Sequence, residues 1–153
     1  MSVEMDRRAE VARVLEKAEE LRRQGKHEEG VKLLTDALSL GTDQAQVFYR
    51  LGNLYFDSKK YDHAEYSYRR AIDHEADHIN AHYNLGVTYK KMGRIDESMK
   101  LRKKANKLAQ QHPEKLKVST DQITQVRSFA KKLLFFGFGF VVLLFVVLLI
   151  LFR

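Results

Sequence analysis

Two patterns of hydrophobic and polar positions divide the chain. Up to about residue 132 apolar and polar residues are mixed, and the mixture repeats itself. From 133 to 152 the chain reads LLFFGFGFVVLLFVVLLILF, 20 positions of which 18 are Leu, Ile, Val or Phe. A helix of that length spans roughly 30 Å, the thickness of a bilayer's hydrocarbon core. At about −0.3 to −0.6 kcal/mol per such residue, insertion is worth roughly −5 to −10 kcal/mol. A buried core helix is the alternative, but no core in a 153-residue protein surrounds a helix that is apolar on every face. The run therefore predicts a single transmembrane helix. Only Arg153 follows it, which predicts a tail anchor. The opening MSVEMDRRAE is charged and predicts no signal peptide. No ionisable residue lies within the run, so no proton relay or ion path is expected there. Gly137 and Gly139 are two apart rather than four and do not form the small-xxx-small dimer motif.

The mixed region has a period of 34. Leu51, Gly52 and Tyr55 recur as Leu85, Gly86 and Tyr89. Ala37, Ala71 and Ala105 share one phase, Tyr49 pairs with Tyr83, Asp62 with Asp96, and Gly25 with Gly93 two periods on. This resembles the tetratricopeptide repeat, in which each copy is a pair of antiparallel helices. The copies fall at 11–44, 45–78 and 79–112, preceded by a helix start over 1–10. The resemblance implies an all-α fold, three helix pairs in a short right-handed solenoid. It implies that Gly52 is small where two helices approach, that Tyr55 fills the space between them, and that Ala64 and Ala71 leave room for the next helix. Copy three has Ser98 for Ala64 and Arg102 for Tyr68; copy one is degenerate, with Lys17-Ala18 for Leu-Gly and Gly30 for the small alanine.

Pro113 disfavours helix at the residue before it, so the last repeat helix should end near Gln110 to His112. Ser119, Thr120 or Asp121 can cap a new helix, and Ile123, Val126, Ala130 and Leu133 follow a helical stripe. One helix is predicted from about 121 to 152. Residues 113–132 are then either a solvating helix over the open end of the array or a linker to the span at 133–152.

Charge sharpens the membrane reading. Residues 100–132 carry ten Lys/Arg, among them Lys100, Arg102, Lys103, Lys104, Lys107, Lys131 and Lys132, against Glu114 and Asp121. Residues 1–99 are close to neutral, so the net +7 belongs to the approach to the apolar run. The positive-inside rule places this segment and everything before it on the cytoplasmic side. Anionic headgroups would attract it by about 1 kcal/mol per basic residue close to the surface. Nucleic acid is the competing partner, but stacking aromatics are not interleaved with these cations. A very apolar span with almost no tail fits a bacterial inner membrane or endoplasmic reticulum better than the mitochondrial outer membrane.

No Ser-His-Asp, phosphate-loop or zinc-protease pattern is present, and the absence of Cys removes thiol chemistry and Cys-ligated zinc. His74, His78 and His82 are four apart, with Asp73 and Asp77 between them, and on one straight helix they could bind zinc. They straddle the turn between copies two and three, however, and His82 falls where the repeat family usually packs a Trp. No metal, cofactor or catalytic residue is expected.

In this family the first helix of each copy lines a concave groove. By that pattern the groove residues are Leu15, Glu19 and Arg22, then Tyr49, Asn53, Phe56 and Asp57, then Tyr83, Val87, Lys90 and Lys91. Aromatic and amide side chains there suit a peptide or helix of a partner protein. The convex face and the span are the other places for a partner, the span through neighbouring transmembrane helices. Repeats that clamp the C-terminal carboxylate of heat-shock chaperones need Lys and Asn, then Asn, then Lys and Arg. Here Leu15 and Glu19, Arg50, and Asn80 and Asn84 stand instead, so that clamp is not matched. The expectation is a non-enzymatic, membrane-anchored adaptor, or a permanent accessory subunit of an integral membrane complex.

Overall fold

Helical turns of one kind recur at one phase of the 34-residue period in residues 2–115, the part of the chain that the computed structural model describes. The elements are α1 (Ser2–Arg23), α2 (His27–Ala37), α3 (Gln44–Asp57), α4 (Tyr61–His74), α5 (Ile79–Lys91) and α6 (Ile95–Gln111). Single 3-10 turns lie at Leu38–Leu40 and Pro113–Lys115. Helices α1, α3 and α5 each end in a Schellman turn, with Lys26 N–H donating to the Leu21 carbonyl, Lys60 to Tyr55 and Arg94 to Tyr89. That turn needs one residue at positive φ, and Gly25 (74°), Lys59 (59°) and Gly93 (81°) supply it. The two glycines accept this conformation without a Cβ penalty; Lys59 does not.

Each of these helices packs on the one that follows its turn, and α2 on α3 and α4 on α5 join the pairs. The described fold is an all-helical repeat solenoid. Val11, Ala18, Leu34, Val47, Leu51 and Leu54 form one core cluster across α1, α2 and α3. Ala64, Tyr68, Leu85 and Tyr89 form a second across α4 and α5. Tyr55 packs against both.

The close approach expected at Gly52 is present, since a Cβ there would lie 2.5 Å from the Tyr68 ring. Two tyrosines fill the space between α3 and α4, Tyr55 as expected and Tyr68 beside it. Tyr68 is 1% exposed, while half-buried Tyr55 lies tilted against His63 at 5.1 Å between ring centroids. In the third pair Arg102 stands in for Tyr68: its Cγ would be 2.9 Å from a Cβ on Gly86, and its guanidinium lies 5.5 Å from the centre of the Tyr83 ring.

Helix α1 is continuous from Ser2 and leaves Val3 and Met5 exposed on its first turns. Helix α6 ends at Gln111, two residues before Pro113. Among the described residues no helix is long and apolar enough to cross a membrane. The predicted helix over 121–152, the span at 133–152, and Lys131 and Lys132 lie outside the described residues.

Candidate functional site

The face shared by α1, α3 and α5 is where the sequence places a groove, and its polar side chains bond from one helix to the next. Glu19 on α1 is the centre of the first group. It accepts from Arg22 Nη2 at 2.8 Å and Nε at 3.0 Å, and from Arg50 Nη1 on α3 at 2.9 Å. Arg22 also donates to Asp57 of α3 at 2.5 Å. Burial acts to raise the Glu19 carboxyl, but the Arg22 hydrogen bond and the charges of Arg22, Arg50 and Arg23 outweigh it and hold it below the ordinary value. The same Glu19 hydrogen bond drives the Arg22 guanidinium upward against its partial burial.

A second group links α3 to α5. The Asn53 side-chain oxygen accepts from the Tyr68 hydroxyl at 2.9 Å and from Asn84 Nδ2 at 3.0 Å. Asn84 Nδ2 also reaches the Tyr49 hydroxyl at 3.4 Å. Tyr49 is half-buried beneath the His78 ring at 4.8 Å and the Tyr68 ring at 6.1 Å. Its counterpart one period on, Tyr83, has Arg102 beside it instead and remains 42% exposed. Lys90 and Lys91, on the last turn of α5, are exposed. Val87 is half-buried, as are Leu15 and Phe56, which pack on the first and second core clusters respectively.

The predicted positions therefore divide into two kinds. Glu19, Arg22, Asn53 and Asp57 bond with neighbouring helices, whereas Tyr83, Lys90 and Lys91 project outward. Arg50 and Asn84 of the same face, and buried Tyr68 of α4, share these bonds and are not among the predicted groove residues. Their signal was present as a spacing. Glu19–Arg50 and Asn53–Asn84 are 31 apart, and Arg22–Asp57 and Tyr49–Asn84 are 35 apart, intervals that flank the period of 34.

The histidine series separates in space. His74 stacks on Phe48 at 5.6 Å, and His78 caps α5 by accepting from the Ala81 N–H through Nδ1. His82 is 2% exposed, with Nε2 2.9 Å from the Ala76 carbonyl. Burial pushes the His82 imidazole down; the Ala76 carbonyl can only accept, so Nε2–H is the donor, and Nδ1 has no hydrogen-bond partner among the described residues. Among the described residues no three His, Asp or Glu side chains are placed to share a metal ion.

A helical-repeat solenoid with one polar face across alternate helices is the class that this geometry defines. Residues 52–93 match the family model described as TPR repeat and residues 79–112 the one described as tetratricopeptide repeat, so residues 52–112 are similar to tetratricopeptide repeats. Protein bimA of Emericella nidulans is 36% identical over 70 residues, covering 46% of this chain and 9% of that protein. The chain spans less than a tenth of the length of the curated relatives it matches. Among solved structures, PcrH in complex with the chaperone binding region of PopB has a TM-score of 0.65 at 17% identity, over 71% of this chain and 87% of that one. The second TPR of Spaghetti (RPAP3), bound to the HSP90 peptide SRMEEVD, has a TM-score of 0.64 at 16% identity, over 71% and 99%. Both likenesses are of fold. Proteins built from these repeats are generally interaction adaptors rather than enzymes.

Proposed function

We propose that this chain is a non-enzymatic adaptor, held at the cytoplasmic face of a membrane by residues 133–152, that captures a partner protein on the α1–α3–α5 face and recruits or assembles a complex there. The observation that carries the reading is the contrast between equivalent positions along this face. Tyr49 is covered by His78 and Tyr68, while Tyr83 leaves an exposed aromatic edge on the helix that also carries exposed Lys90 and Lys91. An exposed aromatic beside exposed ammonium groups suits a peptide or helix with an apolar anchor and acidic residues. Anchoring adds effective concentration, so a weak contact on this face suffices. Glu19 argues against a chaperone-tail ligand, because it sets a carboxylate where such a tail's own carboxylate would be held. The HSP90 peptide is a ligand of the RPAP3 domain and is not carried over to this chain.

Crosslinking with mass spectrometry on gently solubilised native membranes tests the reading. Partners crosslinked to Lys90 or Lys91, and lost with Tyr83→Ala, are the expected outcome. A stoichiometric set of membrane proteins crosslinked at Lys131 and Lys132 and unaffected by Tyr83→Ala would replace the adaptor with the accessory-subunit reading, which the Phe-rich run favours.

A further inference from the structure

Helix α6 holds an ion pair at its start, Glu97 with Arg94, and beyond that carries a row of lysines. Helix α1 matches its cations to acids at Arg8–Glu4, Arg13–Glu10, Lys17–Glu20 and Arg22–Glu19, and α4 does so at Arg69–Glu65 and Arg70–Asp73. On α6 the four lysines Lys100, Lys103, Lys104 and Lys107 are all exposed, and none forms an ion pair or hydrogen bond among the described residues. Their spacing of three, four and seven puts them on one face of the helix. Ser98, Leu101, Ala105 and Leu108 form a different stripe, which contains the buried Ser98 and Ala105. Met99, 60% exposed, borders the lysines.

We infer that this lysine face of α6 docks on an anionic bilayer surface and so fixes which side of the solenoid faces the membrane. The inference rests on the reading of 133–152 as a membrane span. Only residues 116–132 separate the described turn at Pro113–Lys115 from the run at 133–152, a tether of at most ~60 Å even when fully extended. Charge selects the occupant. The following stretch, 116–132, carries Lys117, Arg127, Lys131 and Lys132 against Asp121, so its sign does not complement the lysine face. An anionic leaflet has the opposite sign, and Met99 adds an apolar contact at the headgroup boundary.

The chain has no Cys, so a single Met99→Cys label is unambiguous. The full chain is reconstituted in nanodiscs of phosphatidylcholine, or of equal parts phosphatidylcholine and phosphatidylglycerol, and labelled with a neutral water-soluble maleimide. Met99→Cys is expected to react about tenfold more slowly in the anionic discs, high salt to abolish the protection, and Val3→Cys to react equally in both. Changing the four lysines to Gln, or in a second variant to Glu, is expected to remove the protection while the helical circular dichroism stays unchanged. Equal rates in both lipids, or protection that survives the charge changes, would overturn the docking. Protection in native membranes but in neither disc would assign the face to an acidic protein and overturn it also. A chain that leaves the lipid on alkaline extraction would instead refute the span.

Discussion

At the scale of the residue, the repeat states its own requirement and then breaks it once. The second position after α1, α3 and α5 needs positive φ, and the chain supplies glycine, lysine and glycine in turn. The left-handed conformation costs a residue with a Cβ about 1–2 kcal/mol, and glycine gives back part of that through its freer unfolded chain. Lys59→Gly should therefore stabilise the protein by about 0.5–1 kcal/mol, read as a raised denaturant midpoint at unchanged slope. Gly93→Ala should lower the midpoint by a similar amount. A Lys59→Gly variant no more stable than the parent would mean that its side chain makes a compensating contact. The pairing of Gly25 with Gly93 is visible in the sequence, but the strain at Lys59 is not. A lysine there looks ordinary until the backbone dihedral is known.

Between elements, the tie from α1 to α3 is electrostatic as well as apolar. The Glu19 side chain is 16% exposed and answers Arg22 and Arg23 of α1 and Arg50 of α3, so Glu19→Gln removes the charge that ties Arg50 to α1 and leaves Arg22 with Asp57 alone. The loss should be about 2 kcal/mol at neutral pH, as for hydrogen bonds to a charged group. Its pH dependence has a fixed sign. The folded carboxyl lies below its ordinary value of 4.5, so its contribution is complete above that pH and disappears as pH falls through the lowered folded value. Parent and Glu19→Gln should differ in stability at pH 7 and converge in strong acid. A gap independent of pH would assign the effect to packing. How much of this site the sequence could announce follows from the same bonds. Spacing identified the helix face, because helical periodicity determines which residues point the same way. It could not say that Asn53 and Asp57 would be occupied by neighbours while Tyr83 stayed open. That depends on contacts between copies, and on Arg102 replacing the ring that Tyr68 supplies one period earlier. Tyr55 packs between the helices as period and residue type implied, but that Tyr68 would lie against Gly52 depends on contacts the period does not carry.

For the described array as a whole, stability depends on how firmly neighbouring copies are coupled, since a repeat protein is a row of units that each touch only the next. The two core clusters meet at Tyr55, a partly buried apolar side chain packed against both, with the Gly52–Tyr68 contact as a second tie across the same boundary. Removing the Tyr55 ring should cost about 3–5 kcal/mol if it behaved as a core aromatic, and less because it is half-exposed. The more telling consequence is in cooperativity. In the parent chain, amides of α1–α3 and of α4–α6 should reach similar opening free energies by native-state hydrogen exchange, because neither cluster opens without exposing the other. With Tyr55→Ala the smaller α4–α5 cluster loses a neighbour that the larger one can better spare. Exchange in α4–α6 should then accelerate more than in α1–α3, splitting one opening unit into two. Phe56→Ala, next in sequence but packed on the second cluster alone, should speed α4–α6 with little effect on α1–α3 and so serves as the control. If both halves of Tyr55→Ala accelerate equally, coupling runs through Gly52 and Tyr68 instead, and the array behaves as a single block whose boundary lies in the backbone contact rather than in that ring.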